Sequence, residues 1–115
     1  TKPGPAGVSN VVYFDYDSYT VKSEFQSVLE AHARFIKADN TRRANIEGHT
    51  DERGGSEYNI ALGQKRAEAV RRALNALGVA DGQMEAVSYG KEKPAMSGND
   101  ENAFAKNRRA EITYR

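Results

Sequence analysis

Apolar residues recur along this chain with two different spacings, one typical of strands and the other typical of helices. Residues 10–15 are rich in β-branched and aromatic side chains, which predicts a first strand. From Val21 the apolar positions fall three and four residues apart, which predicts a helix as far as residues 39–40 with Thr20 as its N-cap. The apolar stripe of this helix consists of Val21, Phe25, Val28, Leu29, His32, Phe35 and Ile36.

The middle of the chain predicts a strand, a polar loop and a long helix. Residues 43–49 alternate between apolar and polar side chains, as in a strand with one buried face. That buried face is predicted to hold Ala44, Ile46 and Gly48. The helical spacing returns over residues 56–77, and Gly78 is the expected C-terminal stop. Gly63 lies on the buried stripe of this helix, which indicates a close approach to the sheet.

The C-terminal third predicts two more strands separated by a long connection. Residues 84–89 have the composition of a third strand, and the polar residues 90–102 predict a loop. Asp100 is placed to cap a short helical turn that runs through Phe104. Residues 107–114 alternate again and are predicted to close the chain as a fourth strand.

The order of these elements, β-α-β-α-β-β, predicts the fold class. We expect an α+β two-layer sandwich with one mixed four-stranded sheet and two main helices on one face. Residues 1–9 contain Pro3 and Pro5 and predict the linker end of a trimmed N-terminal tether that packs little. The folded domain is therefore expected to span residues 10–115.

Composition excludes several classes of function. The net charge is +1 with acids and bases interspersed, so no basic face favours nucleic acid. The chain has no cysteine, which excludes a disulfide, a thiolate nucleophile and a zinc–thiolate site within it. No apolar run approaches the ~20 residues that a membrane-spanning helix needs.

One carboxylate and two guanidinium groups are the candidate chemistry of the chain. Asp51 and Arg53 lie in the glycine-closed loop after the second strand, between rigid elements. Arg66 lies about three turns into the long helix, on the face of Asn59 and Leu62, and helical side chains lean back toward the N-terminus. We expect these charges to converge, partly exposed, on one shallow site that suits a small zwitterionic ligand better than catalysis.

The charged residues also allow interpretations that involve no binding site. Asp51 and Arg66 are alternatively a surface salt bridge, worth ~0–1 kcal/mol. The glycines after Asp51 argue against this, because they allow an unusual backbone path that a salt bridge would not require. Near the C-terminus, Arg108 and Arg109 are either a small basic cluster or cations that are solvated or paired with acids. If the last strand returns beside the Asp51 loop, Asn107 is placed to hydrogen-bond that loop.

Catalysis and metal binding are disfavoured. Glu47, His49 and Asp51 are possible ligands, but no second histidine cluster or recognised ligand spacing accompanies them. His32 lies on an apolar helix stripe, which is typical of a hydrogen-bonded core histidine. No serine elbow and no complete phosphate-binding loop is present. We therefore predict no catalytic residue, no metal and no cofactor.

Four motifs, in this order and at these spacings, resemble the OmpA-like peptidoglycan-binding domain. The resemblance covers residues 11–115, and the wording of the motifs favours the lipoprotein members of the family over flagellar stator proteins and porins. The motifs are Phe14-Asp15-Tyr16-Asp17, Gly48-His49-Thr50-Asp51-Glu52-Arg53-Gly54, Tyr58-Asn59-Ile60-Ala61-Leu62-Gly63-Gln64-Lys65-Arg66-Ala67 and Asn107-Arg108-Arg109-Ala110-Glu111-Ile112.

The resemblance implies a non-enzymatic domain that holds the meso-diaminopimelate residue of the peptidoglycan stem peptide. Asp51 would bind the side-chain ammonium group of diaminopimelate, and Arg66 would bind its carboxylate. Stem peptides with lysine lack that carboxylate, so Arg66 should discriminate against them. The other implied contacts come from Arg53, Leu62 and the backbone amides around Phe14 and Asp15.

The resemblance also implies partners and a location. A lipidated cysteine upstream would anchor the protein in the outer membrane, with this domain on the periplasmic side, where it would link that membrane to the cell wall. TolB and other Tol proteins would be further partners in envelope integrity and division. The alternative is a domain that mainly binds TolB; competition between TolB and a muropeptide would show whether their sites overlap around Arg53 and residues 15–19.

Overall fold

The computed structural model describes residues 2–115 and contains one open sheet of four strands. The strands are β1 (Val11–Tyr13), β2 (Ala44–His49), β3 (Met84–Gly90) and β4 (Arg109–Tyr114). They lie in the order β1-β4-β2-β3, with β2 parallel to β3 and antiparallel to β4, which is antiparallel to β1. The predicted α+β fold with a mixed four-stranded sheet is therefore confirmed.

Three helices connect the strands. They are α1 (Gln26–Lys37), α2 (Ser56–Ala76) and α3 (Glu101–Asn107). Because α1 and α2 pack on the same side of the sheet around one apolar core, the predicted two-layer arrangement is also confirmed. Within residues 2–115, none of the helices combines the length and the apolar character that crossing a bilayer requires.

Two predictions at the ends of elements are wrong. A 3₁₀ turn at Ser23–Phe25 precedes α1, so Thr20 does not cap that helix. Asn107 ends α3 rather than starting β4, because the capping bond from the Ala103 N–H to the Asp100 carboxylate starts a helix of two turns.

The N-terminal segment contacts the end of β4 at its start. Thr1, the first residue of the predicted linker, lies outside the described residues. The Lys2 N–H donates to the Tyr114 carbonyl over 3.1 Å, and Gly4 lies against the Tyr114 ring. None of residues 2–9 is buried, so these contacts hold only the start of the segment against the end of β4.

His32 is a hydrogen-bonded core histidine, as predicted. Its Nδ1 lies 2.6 Å from the Tyr114 hydroxyl and its Nε2 lies 2.9 Å from the Ser9 carbonyl. Because a carbonyl only accepts, Nε2 carries the proton and Nδ1 accepts from the tyrosine. Burial lowers the pKa of His32, so the ring is neutral.

Two glycines bring α2 into backbone contact with β2. A Cβ atom on Gly48 would lie 1.8 Å from the Gly63 carbonyl oxygen, and a Cβ on Gly63 would lie 2.3 Å from the Ser88 Oγ. The predicted close approach of Gly63 to the sheet is confirmed. This contact fixes the first turns of α2 beside the carboxyl end of β2, where the candidate residues lie.

Candidate functional site

A small recess lies at the carboxyl end of β2, between the loop that follows this strand, the turn after β1 and the start of α2. Its volume of about 70 Å³ accommodates a few water molecules or the head of a small ligand. It is lined by Tyr16, Asp17, Thr50, Asp51, Arg53, Gly54, Tyr58, Asn59, Leu62 and Arg66. The structure therefore brings Asp51, Arg53, Leu62 and Arg66 together around one recess.

Asp51 is the buried carboxylate of this recess, with only 5% of its surface exposed. Its Oδ1 accepts from the Arg53 N–H (3.0 Å) and Nε (3.1 Å), and its Oδ2 accepts from Arg53 Nη2 (2.7 Å). Burial opposes the charged form, but these hydrogen bonds and the charges of Arg53 and Arg108 outweigh it and lower the pKa of Asp51. The group is therefore a carboxylate at neutral pH.

Arg66 is fully buried and ties the turn after β1 to the end of β2. Its Nε donates to the Ser18 carbonyl (2.8 Å), its Nη1 to His49 (3.0 Å) and its Nη2 to Asp15 (3.1 Å). Burial lowers its pKa to about 10, so the guanidinium stays charged at pH 7.

The predicted partial exposure of Asp51 and Arg66 is therefore wrong. The glycine contact draws α2 against the sheet and carries Arg66 beneath the turn. Replacing Arg66 by alanine would leave three backbone carbonyls without their donor, so the fold would not stay intact. The alternative of a surface salt bridge is also wrong, because Asp51 pairs with Arg53 rather than with Arg66.

Two of the expected contributors lie outside the recess. The Phe14 ring is in the core and its N–H donates to the Arg108 carbonyl over 2.9 Å, so this amide is already occupied. The exposed Asp15 carboxylate pairs with Lys22 over 3.1 Å, and its carbonyl accepts from Arg66. The Phe14 amide is thus not free for a ligand, and contacts from the other backbone amides around Phe14 and Asp15 stay a prediction.

The two asparagines predicted to support the site hold different loops. Asn59 Nδ2 donates to the Arg53 carbonyl over 2.9 Å and so connects α2 to the Asp51 loop. Asn107 instead donates to the Met96 carbonyl (2.8 Å) and accepts from the Ala95 N–H (2.7 Å). The expected bond from Asn107 to the Asp51 loop is wrong, because the end of α3 turns this side chain toward the 95–96 segment.

The structure also places Arg108 beside Asp51, whereas the sequence left it either in a small basic cluster or solvated or paired with acids. This buried side chain donates from Nε to the Phe14 carbonyl (3.0 Å) and from Nη2 to Glu101 (2.9 Å). Its Nη1 lies 3.6 Å from Asp51 Oδ2 and has no hydrogen-bond partner within residues 2–115. The antiparallel pairing of β2 with β4 places Arg108 beside Asp51. Predicting this contact from the sequence would have required the order of the strands in the sheet.

Aromatic rings form the rim of the recess. The Arg53 guanidinium lies 4.2 Å from the ring centroids of both Tyr16 and Phe104. Tyr16 is 63% exposed and Tyr58 is 57% exposed, and the Tyr58 hydroxyl donates to the Asp17 carboxylate. Arg53 is thus held between two rings and over the Asp51 carboxylate.

His49 is buried beside this site as a neutral ring. It stacks on Tyr89 with centroids 5.5 Å apart, and neither ring nitrogen has a hydrogen-bond partner within residues 2–115. Burial, followed by the charge of Arg109, lowers its pKa to about 4. Across the same residues, no three His, Cys, Asp or Glu side chains are grouped as a metal site would need.

The lowered pKa of His49 predicts a loss of stability in acid. The unfolded chain takes up the proton near pH 6.5 and the folded chain only near pH 4, so protonation favours unfolding as the pH falls through this range. We expect this residue to cost about 2 kcal/mol at pH 5 relative to pH 7.5. Urea denaturation of the wild type and of His49→Phe at pH 5 and at pH 7.5 measures this loss of stability. The variant should show a smaller loss, and equal losses would contradict the assignment.

Comparisons with known proteins agree with the motifs. Residues 13–108 match the model of the OmpA family. A protein of Pasteurella multocida (strain Pm70) named Peptidoglycan-associated lipoprotein is 53% identical over 105 residues, which cover 91% of this chain and 70% of that protein. A protein of the same name from Haemophilus influenzae is 50% identical and covers 91% of this chain and 69% of its own length.

Solved structures share the fold as well. The crystal structure of the peptidoglycan-associated lipoprotein from Burkholderia pseudomallei superposes with a TM-score of 0.92 at 59% identity, over 93% of this chain and 91% of that one. The C-terminal domain of Helicobacter pylori MotB superposes with a TM-score of 0.82 at 24% identity, over 90% of this chain and 81% of its own, a likeness of fold alone. By its family match, its close relatives and its fold, this chain belongs to the OmpA family.

Proposed function

We propose that this domain binds peptidoglycan noncovalently, without catalysis, and links the outer membrane to the cell wall. The family supports this, as do close relatives whose name is peptidoglycan-associated lipoprotein. The observation that carries the proposal is that a buried carboxylate, Asp51, and a buried guanidinium, Arg66, both line one recess. Such a pair is complementary to the two charges of an amino-acid head group.

The head group that we propose is the free end of meso-diaminopimelate in the stem peptide. Its ammonium group would bind Asp51, because a carboxylate has about four acceptor sites and Arg53 fills three of them here. Its carboxylate would bind guanidinium N–H groups that the folded chain does not already use in hydrogen bonds. Among residues 2–115, Arg108 Nη1 has no acceptor, and each nitrogen of Arg66 makes one bond to a carbonyl although a guanidinium carries five N–H groups.

The charge balance of the recess favours the same ligand. Arg53 and Arg66 line the recess and Arg108 lies behind it beside Asp51, so three guanidinium groups face two carboxylates, those of Asp51 and Asp17. A ligand that brought only an ammonium group would add a fourth cation to this cluster. A zwitterion also supplies a carboxylate, and forked guanidinium donors hold carboxylates in a fixed geometry.

Asp51→Asn tests this proposal, because it keeps the shape of the side chain and removes its charge. We expect binding to isolated sacculi, measured by co-sedimentation, to weaken by at least about tenfold, since a charge-assisted bond to the ammonium is lost. Glu52→Gln is the matched control, because Glu52 is an exposed acid in the same loop that does not line the recess. Thermal melts verify that both variants are folded. Equal sedimentation of all three proteins would refute the proposal.

A second candidate function is the docking of TolB, as expected from the resemblance to lipoprotein members of the family. The feature that favours it is a group of exposed tyrosines, Tyr16 and Tyr58 on the rim and Tyr19 beside Tyr58, since exposed tyrosines are typical of protein interfaces. This rim borders the recess, so we expect a stem peptide to displace TolB in the Tol-Pal system. Simultaneous binding of the two would contradict a shared surface.

A further inference from the structure

A second and larger recess lies at the opposite end of β2. Its volume is about 380 Å³, and it is lined by Lys2, Pro3, Gly4, Phe35, Asp39, Thr41, Arg42, Arg43, Tyr114 and Arg115. Arg43 immediately precedes β2, whereas Asp51 follows it. A strand of six residues separates the two recesses by about 20 Å, so this one is not an extension of the first.

Cations dominate the lining of this second recess. Lys2, Arg42, Arg43 and Arg115 contribute positive charges, although the whole chain has a net charge of only +1. The one carboxylate in the lining belongs to Asp39, and it already accepts from the Thr41 N–H and hydroxyl over 2.9 and 2.6 Å.

Three of these cations form no direct ion pair within residues 2–115, although the Asp39 carboxylate interacts with the charges of Arg42 and Lys2 from beyond 4.0 Å. No carboxylate of this part of the chain lies within 4.0 Å of Lys2, Arg42 or Arg43, and Arg115 has Glu85 at 3.8 Å on the exposed surface. Like charges placed around one recess repel one another. An anion bound among them would remove this repulsion.

The two arginines are held in place before any ligand arrives. The Arg42 guanidinium lies 3.7 Å from the centroid of the Phe35 ring and donates to the Phe35 carbonyl. Arg43 Nη1 donates to the carbonyls of Asn40 and Arg42, both over 3.0 Å. Each guanidinium is thus oriented through Nη1, and Nη2 of both remains without an acceptor in residues 2–115. Donors fixed in advance lose less entropy on binding.

Part of the remaining lining of the recess is apolar. Phe35, Pro3 and Tyr114 contribute this surface, beside the polar Asp39 and Thr41. The backbone bond from the Lys2 N–H to the Tyr114 carbonyl (3.1 Å) holds the N-terminal wall in place. The recess therefore suits an anion that carries an organic body, because it offers charged donors next to apolar surface.

We propose that this recess binds an organic phosphate, with the phosphate group on Arg42, Arg43 and Lys2 and the organic body against Phe35 and Pro3. A phosphate has more charge and more acceptor oxygens than a carboxylate, and it accepts from forked guanidinium donors and from an ammonium group at once. The phosphate belongs either to a membrane phospholipid head group or to a free phosphorylated molecule. Both sources share the chemistry that the recess recognises.

The binding test is an NMR titration with glycerol 3-phosphate and, separately, with inorganic phosphate at constant ionic strength. We expect saturable shifts confined to amides of the second recess, with weakening of at least about tenfold in the double variant of Arg42→Gln and Arg43→Gln. Lys2→Gln, at a position outside the core, should also weaken binding and serves if the double variant is not folded. Arg72→Gln, a solvent-exposed arginine on α2, is the matched control and should bind as the wild type does.

Binding to lipid vesicles distinguishes a phospholipid head group from a free phosphorylated molecule as the source of the phosphate. Sedimentation with phosphatidylglycerol vesicles that glycerol 3-phosphate reverses assigns the site to a lipid head group. Saturable binding of glycerol 3-phosphate without sedimentation assigns it to a free organic phosphate. Shifts that do not saturate, or that are the same in wild type, Lys2→Gln and the arginine variants, would overturn the proposal.

Discussion

Gly48→Ala is expected to lower the free energy of unfolding by at least about 4 kcal/mol. The added Cβ would lie 1.8 Å from the Gly63 carbonyl oxygen, and the group it meets is helix backbone that cannot rotate away. Relief requires α2 to move off β2, which opens the core around Ile46 and Val70. Because domains of this size are stable by roughly 5–15 kcal/mol, this variant should be close to unfolding at room temperature.

Urea denaturation followed by circular dichroism measures this effect. Gly82→Ala is the matched control, because a Cβ there meets no atom within 4 Å, and its expected change is within about 0.5 kcal/mol. Gly63→Ala should fall between the two, since its nearest obstacle is the movable Ser88 hydroxyl at 2.3 Å. A Gly48→Ala variant as stable as the control would show that the helix and the strand are not in backbone contact.

The glycine contact also explains how the fold builds the first recess. Arg66 lies three residues after Gly63 on α2, so the distance of the helix from β2 sets the reach of its guanidinium. With the helix in backbone contact, Arg66 Nη1 comes within 3.0 Å of the His49 carbonyl at the end of β2. The positions of the site and the stability of the core therefore depend on the same pair of glycines.

The strands and main helices could be predicted because their signals are local. Alternating side chains at 43–49 and a helical stripe at 56–77 each specify one element without reference to the rest of the chain. The start of α1 was predicted wrongly because a 3₁₀ turn and an α-helix share the apolar spacing near Phe25. The ends of elements were harder to predict, because local patterns there do not distinguish a 3₁₀ turn from the first turn of an α-helix.

The burial of the site residues could not be predicted, because it depends on contacts between distant parts of the chain. Arg66 is buried by the carbonyls of Asp15 and Ser18, which lie 51 and 48 residues away. Arg108 reaches Asp51 only because β4 lies between β1 and β2 in the sheet. Periodicity indicates which face of an element is apolar but not which strands are neighbours. The residue types that line the recess could therefore be predicted from the sequence, whereas their positions relative to one another could not.

The second large expected effect is a loss of binding affinity when the ligand, rather than the protein, is changed. A stem peptide with lysine in place of meso-diaminopimelate keeps the ammonium group that Asp51 would bind and loses the carboxylate proposed for Arg66 and Arg108. These two guanidinium groups are buried, so the lysine peptide would place an ammonium beside cations that gain no partner in return. We expect this to weaken binding by ~2–5 kcal/mol, or more than about 30-fold.

The most direct test of the proposed head-group recognition is calorimetric titration of the wild-type domain with these two peptides, which are identical apart from that one carboxylate. The account predicts measurable, saturable binding of the diaminopimelate peptide and binding of the lysine peptide that is weaker by more than about 30-fold. Equal affinities would contradict recognition of a zwitterion by Asp51 and its neighbouring arginines.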